Sequence, residues 1–148
     1  ARTKVLKLGL SERISLMEGN AEHLELDSES VDAVTIAFGI RNFENKEACL
    51  AELNRVIRPG GHLVILEFSN PTNPLINLLY RFYSHKVLPW VGGIISKNRS
   101  AYEYLPASVD GFPNPDNFAA IIEKAGYTNV TRRSQSFGIA QIYIAQKS

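Results

Sequence analysis

An α/β fold of the doubly wound kind is predicted by three features of this 148-residue sequence. The first is the stretch Val34-Thr35-Ile36-Ala37-Phe38-Gly39-Ile40-Arg41-Asn42-Phe43, where an apolar run rich in β-branched residues stops at a glycine and gives way to Arg41 and Asn42. That pattern is a buried strand delivering polar groups to its carboxyl end, where ligands sit in an open α/β sheet. The second is a strand, helix, strand sequence closed by Arg58-Pro59-Gly60-Gly61, which implies a right-handed parallel crossover. The third is composition: 45% hydrophobic and 21% charged residues over this length suit one globular domain, residues 1–148, with a real core.

Taken in order, Ala1 to Leu8 is short and basic and reads as a helix that Gly9 ends in the left-handed conformation. Arg2, Lys4 and Lys7 suit the dipole at that end. Ile14-Ser15-Leu16-Met17-Glu18 alternates as a strand would, and Gly19-Asn20-Ala21-Glu22 turns the chain. Leu24 to Ser30 is an acidic connection without a helix, leading into the strand Val31 to Ala37. Glu44 to Ile57 places Ala48, Leu50, Leu53, Val56 and Ile57 largely on one face, the pattern of a helix packing on a sheet. Pro59 cannot continue that helix and the glycines permit the turn. In the next strand, His62 to Phe68, the run Leu63-Val64-Ile65-Leu66 is of the kind buried on both faces.

Asn70-Pro71-Thr72-Asn73-Pro74 breaks the pattern. A helix from Leu75 to Leu88 then carries Leu78, Leu79, Tyr80, Phe82 and Tyr83 mixed with Arg81, His85 and Lys86. Pro89 to Ile95 extends the apolar surface without helical regularity, and Tyr102, Tyr104 and Leu105 mark another short helix. Asn114 caps a helix that has Pro115 at its first position and runs to Gly126 through Phe118, Ile121 and Ile122. Strands near Tyr127 to Arg133 and Phe137 to Ala145 close the chain as an antiparallel hairpin.

Composition also narrows function. The 16 basic and 15 acidic residues are scattered, and a net charge of +1 leaves no electrostatic footprint for nucleic acid. Cys49 is the single cysteine, so it forms no internal disulfide and reads as a small core residue, in keeping with a cytoplasmic location. No metal site is expected. The longest apolar region is broken by Arg81, His85, Lys86 and Pro89, which argues against a membrane-spanning helix. The sequence opens at Ala1 inside a basic helical pattern, as a piece of a longer chain would.

Several short segments together carry a resemblance. They are Gly19-Asn20-Ala21-Glu22, Thr35 to Asn42, Arg55-Val56-Ile57-Arg58-Pro59-Gly60-Gly61, Leu66-Glu67-Phe68-Ser69, Leu88-Pro89 and Ala101-Tyr102 with Tyr104-Leu105. The chain resembles, over nearly its whole length, the quinone-biosynthesis C-methyltransferases, which methylate demethylmenaquinol and polyprenyl-methoxybenzoquinol. Arg-Pro-Gly-Gly occurs in many methyltransferases, whereas Phe38-Gly39-Ile40-Arg41-Asn42 followed by Glu67-Phe68-Ser69 is specific. The resemblance implies a class I methyltransferase with a Rossmann-like sheet, using S-adenosyl-L-methionine as cofactor. Family members carry an upstream glycine-rich turn and a ribose-binding acidic residue, and neither is found here: none of the ten glycines forms Gly-x-Gly. The chain is therefore expected to be an amino-terminally truncated domain missing its first two strands, which would lie between the strands at Ile14 and Val31.

The resemblance also implies site residues. Asn20 and Ala21 match the position that contacts the adenine, and Ala37 and Phe38 match the strand end beneath the cofactor, although relatives often have Ser at position 37. Methylating an aromatic carbon requires an electron-rich ring, obtained by removing a proton from a quinol hydroxyl. Stabilising and orienting the resulting phenolate falls to the protein. Arg41 suits that electrostatic role better than proton abstraction, and Asn42 could hold the quinol oxygen or a water, so these two are the candidate catalytic residues. Tyr80, Tyr83 and His85 lie in the inserted helices that would cover the substrate, His85 being of the type suited to act as a base.

The expected partners are a prenylated quinol, a membrane surface against which Leu75 to Ile95 would lie, peripherally, and a second copy of the chain. One alternative is an inactive fragment or noncatalytic interaction module that pairs with another chain. Another is a different Rossmann-like enzyme using a nicotinamide cofactor.

Overall fold

The computed structural model describes residues 1–87 and 99–148, and in 99–103 the backbone alone. Its centre is a four-stranded mixed sheet in the order β1-β2-β4-β3, made of β1 (Val31–Ala37), β2 (Ile57–Phe68), β3 (Tyr127–Gln135) and β4 (Ala140–Lys147). β1 runs parallel to β2, while β4 lies antiparallel between β2 and β3. The parallel crossover and the closing hairpin are thus both present, and the hairpin's second strand is threaded into the sheet interior.

Helix α1 (Arg2–Lys7) ends as its sequence dictates. Gly9 adopts φ +65, and the Gly9 and Leu10 amides donate to the carbonyls of Leu6 and Val5, each at 3.1 Å. Helix α2 (Lys46–Val56) starts where Asn45 accepts the Ala48 amide at 2.9 Å, and it buries Cys49, Leu50, Leu53 and Val56 against the sheet. Helix α3 (Pro74–Phe82) is capped by Asn73 and continues into a π-turn, Tyr83–Val87. Helix α4 (Arg99–Asp110) contains Pro106, and helix α5 (Pro115–Lys124) is capped by Asn114, whose side chain accepts the Asn117 amide at 2.8 Å. Leu88 and the Pro89 to Ile95 segment lie outside the described residues.

The turn between α2 and β2 differs in detail from expectation. β2 begins at Ile57, directly after the helix, and Arg58 to Gly61 form an irregularity within the strand, where pairing jumps from Val31–Ile57 to Ala33–His62. Gly61 is required there by space: a Cβ would stand 2.6 Å from the Asp32 carbonyl oxygen and from Ile57 Cγ2.

The core joins α2, α5 and one sheet face. Leu50, Leu53, Ile57, Leu63, Ile65, Phe118, Ile122 and Tyr143 are buried in it. Phe118 packs edge-on against Tyr143 with ring centroids 5.0 Å apart. Cys49 is fully buried, and burial, followed by the charges of Glu22 and Glu52, pushes its thiol up to about 11.

Three expectations need correction. Ile14 to Glu18 form no strand: the segment is irregular and exposed, because alternation supplies no hydrogen-bond partner and no strand lies beside it. β1 is not buried but half-exposed, since it is an edge of this sheet. Along β2 one face is buried (Leu63, Ile65, Glu67) and the other only partly covered (Val64, Leu66, Phe68), so that run is not sealed on both sides.

Candidate functional site

The carboxyl end of β1 is shaped by an unusual backbone. Phe38 adopts φ +55 while its amide still donates to the Leu66 carbonyl at 2.8 Å, so the chain leaves β1 in a sharp left-handed turn. A single 3-10 turn, Ile40–Asn42, follows. Ile40 is fully buried and plugs this turn into the core, which leaves Arg41 and Asn42 above the strand ends.

Arg41 is held on four sides. Its backbone N–H donates to Glu67 Oε2 at 3.2 Å, and Nη1 donates to Glu67 Oε1 at 2.7 Å and to the Phe38 carbonyl at 2.6 Å. Nε reaches Ser108 Oγ on α4 at 3.3 Å. The pair is nearly dry, with the Arg41 side chain 9% exposed and Glu67 0%. The guanidinium also lies 5.5 Å from the Phe68 ring centroid, and Phe68 stacks on Phe38 with centroids 4.4 Å apart. Asn42 is exposed, and its Oδ1 accepts the Tyr104 hydroxyl at 2.8 Å. Helix α4 therefore bonds both candidate catalytic residues.

Asn42 lines a cleft of about 620 Å³ with Gly19, Asn20, Ala21, Glu22, Phe43 and Glu44. Asn20 Oδ1 accepts the Glu22 amide at 3.0 Å, which organises the turn, and Glu22 in turn accepts the Asn45 amide at 3.1 Å, tying that turn to the start of α2. Asn20, Ala21 and Asn42 are thus brought together. Arg41, Ala37 and Phe38 sit at the strand end beside this cleft without lining it. The lining is compatible with an adenine: Gly19 has no side chain and Ala21 a small one, which leaves room for a flat ring, and Asn20 Nδ2 makes no hydrogen bond among the described residues.

Tyr80 and Tyr83 line a second, apolar pocket of about 230 Å³ with Phe68, Ser84, Leu105, Pro106 and Ile139. Burial, reinforced by the charge of Asp110 and opposed by that of Arg41, raises the Tyr80 hydroxyl above its ordinary value. His85 lines neither cavity. Its Nε2 lies 3.1 Å from Asp110 Oδ2, while Asp110 Oδ1 accepts from Asn70 Nδ2 at 3.1 Å. Two partners escaped sequence reasoning, Asp110 for His85 and Glu67 for Arg41. Glu67 alone gave a signal, as a charged residue closing an apolar strand run. Among the described residues, no group of His, Cys, Asp and Glu side chains could hold a metal ion.

A family model described as the ubiE/COQ5 methyltransferase family matches residues 1–147. The chain belongs to the ubiE/COQ5 methyltransferase family. A ubiquinone/menaquinone biosynthesis C-methyltransferase of Syntrophotalea carbinolica is 46% identical over 136 residues, covering 92% of this chain and 57% of that protein. A demethylmenaquinone methyltransferase of Bacteroides fragilis is 41% identical over 146 residues, covering 99% of this chain and 60% of that protein. The chain thus spans 57–60% of the length of these two relatives. Among solved structures, a SAM-dependent methyltransferase from Aquifex aeolicus superimposes with a TM-score of 0.62 at 19% identity, covering 99% of this chain and 61% of that one. The fold is accordingly that of a class I methyltransferase, and family membership decides against the nicotinamide alternative.

Proposed function

We propose that this chain is a single methyltransferase domain for S-adenosylmethionine-dependent C-methylation of a prenylated quinol ring, as in menaquinone or ubiquinone biosynthesis. One observation carries the reading: at the carboxyl end of a parallel strand, a nearly dry arginine fixed by Glu67 stands next to Asn42 at the rim of an adenine-sized cleft. The names of the two family relatives support the reaction class.

In this mechanism the cofactor supplies an electrophilic methyl group on its sulfonium. Asn20 and Ala21 hold the adenine, and Ala37 and Phe38 form the floor beneath. Arg41, paired with Glu67, would offer its remaining guanidinium N–H donors to the phenolate in a setting shielded from water. Asn42, steadied by Tyr104, orients the acceptor oxygen or a water. Tyr80, Tyr83 and Phe68 offer an apolar wall to the ring or its tail.

Surface chemistry supports a peripheral membrane contact. Leu75, Leu78, Leu79 and Phe82 recur along one side of α3 and are each 62–67% exposed, with Arg81 and Lys86 close by. No helix among the described residues is long and apolar enough to cross a membrane. The reading as a module that pairs with another chain, a second copy included, is favoured by one feature: the outer edge of β1 has no strand beside it among the described residues.

The test begins with calorimetric titration of S-adenosylmethionine into the folded chain, followed by incubation with a short-tailed quinol and mass spectrometry of the product. Binding and a methyl group on ring carbon are expected. Methylation of oxygen would discard the C-methylation reading, and absence of binding, or binding without transfer, would favour the pairing module.

A further inference from the structure

Among the described residues, Glu67 is the only charged side chain in the buried interior, and the methyl-transfer reading gives it no contact with cofactor or substrate. Both of its oxygens nonetheless accept hydrogen bonds. Oε1 accepts from Arg41 Nη1 at 2.7 Å and from the Phe68 amide at 2.8 Å, and Oε2 accepts the Arg41 backbone N–H at 3.2 Å. One carboxylate thus grips both the main chain and the side chain of the same arginine.

An ion pair kept for stability alone needs no such double hold, because well-packed apolar residues serve a core as well or better. The consequences run outward through Arg41. Its Nη1 also donates to the carbonyl of Phe38, a residue whose φ of +55 is strained for a side chain of that size. Such strain persists where surrounding bonds over-determine it. With Nε on Ser108 and Nη1 shared between Glu67 and Phe38, Nη2 is the edge of the guanidinium that has no hydrogen bond among the described residues.

We propose that Glu67 is the positioning residue of this site: it fixes Arg41 and, through Arg41, the left-handed Phe38, so that the guanidinium is oriented before the acceptor ring arrives. This rests on the methyl-transfer reading above.

Two measurements test it. In the wild-type protein the Arg41 Nε–H should give a resolved, slowly exchanging NMR signal, and Glu67→Gln should broaden it. In the methylation assay Glu67→Gln should lower kcat by about ten- to a hundredfold, the worth of a hydrogen bond to a charged group. The KM for S-adenosylmethionine should stay within about threefold, since the lost interaction lies on the acceptor side. In an Arg41→Gln background the same change should add no further loss, because both act through one group.

An unchanged kcat in Glu67→Gln overturns the proposal, as does a wild-type Arg41 Nε–H that exchanges as fast as that of exposed Arg2. If Glu67→Gln does not fold, the wild-type Arg41 backbone N–H, whose acceptor is Glu67 Oε2, decides: exchange as fast as that of an exposed amide overturns the proposal. Failure of the wild-type protein to bind cofactor or transfer methyl would strike the functional reading, whereas the NMR comparison judges Glu67 independently.

Discussion

Along the β3 edge of the sheet, pairing with β4 slips between Thr128 and Thr131, Asn129 sits in the slip at φ +52, and Arg132 and Arg133 follow. Along the β1 edge, Ala33, Thr35 and Ala37 stand exposed in a strand whose one charge is Asp32. A bulge and paired cations discourage a further strand from adding to β3, while small, uncharged side chains leave β1 open to one. The two sides are also anchored differently. β3 and β4 rest on the aromatic core through Phe118, Tyr127 and Tyr143. The approach to β1 is held by charge: Glu52 accepts the Leu24 amide, and Arg55 donates to Glu52, Ser28 and the carbonyls of Leu24 and Leu26. One edge is finished and core-backed, and the other is open and electrostatically tethered.

The largest expected effect tests the core-backed side. Phe118→Ala should cost about 3–5 kcal/mol in urea unfolding, the range for emptying a buried aromatic site. A loss below about 1 kcal/mol would break the contrast by showing that the aromatic stack does not anchor β3 and β4. Next comes Gly61→Ala, whose new Cβ would collide with the Asp32 carbonyl and Ile57. Overpacking of this kind costs about 1–3 kcal/mol, and hydrogen exchange should quicken in β1 more than in β4.

Acid sharpens the comparison further. The hydrogen bond from Arg55, then that from the Leu24 amide, holds the Glu52 carboxyl down to about 2, against an ordinary value of 4.5. Because the folded value is the lower one, its contribution is present above pH 4.5 and is lost as pH falls toward 2. Exchange protection in β1 should therefore decline over that window before protection in β3. Protection lost in both strands together would refute the tether. The smallest change is Thr35→Lys, which should alter stability by no more than about 0.5 kcal/mol yet reduce self-association seen by light scattering. Arg133→Val on β3 should increase it.

These contrasts also explain what could be read beforehand. β1, α2, β2 and α5 were legible because local signals agreed: apolar periodicity, Asn114 as a cap, and the break between helix and strand near Pro59 and its glycines. Ile14 to Glu18 misled because alternation describes a side-chain pattern, whereas a strand exists only beside another strand. Arg41 and Asn42 stood out as polar residues at a strand end, and the turn that carries them formed there. Glu67 and Asp110 could not be assigned partners, since Glu67 meets Arg41 across 26 residues and Asp110 meets Asn70 across 40. Sequence periodicity is silent at such separations. Phe38 likewise shows no local sign of left-handedness, and its carbonyl meets the Arg41 guanidinium only once the turn has formed.

Cys49 gives the protein a practical property. The only sulfhydryl in the chain lies on the buried face of α2, protonated at neutral pH and out of reach of an alkylating reagent. A cysteine introduced at Phe137, which is 83% exposed at the β3–β4 hairpin tip, would be the sole target of a maleimide dye in the native state. Fluorophores could thus be attached one at a time to chosen surface points without first deleting the natural thiol, and sudden labelling of Cys49 would report that the core had opened.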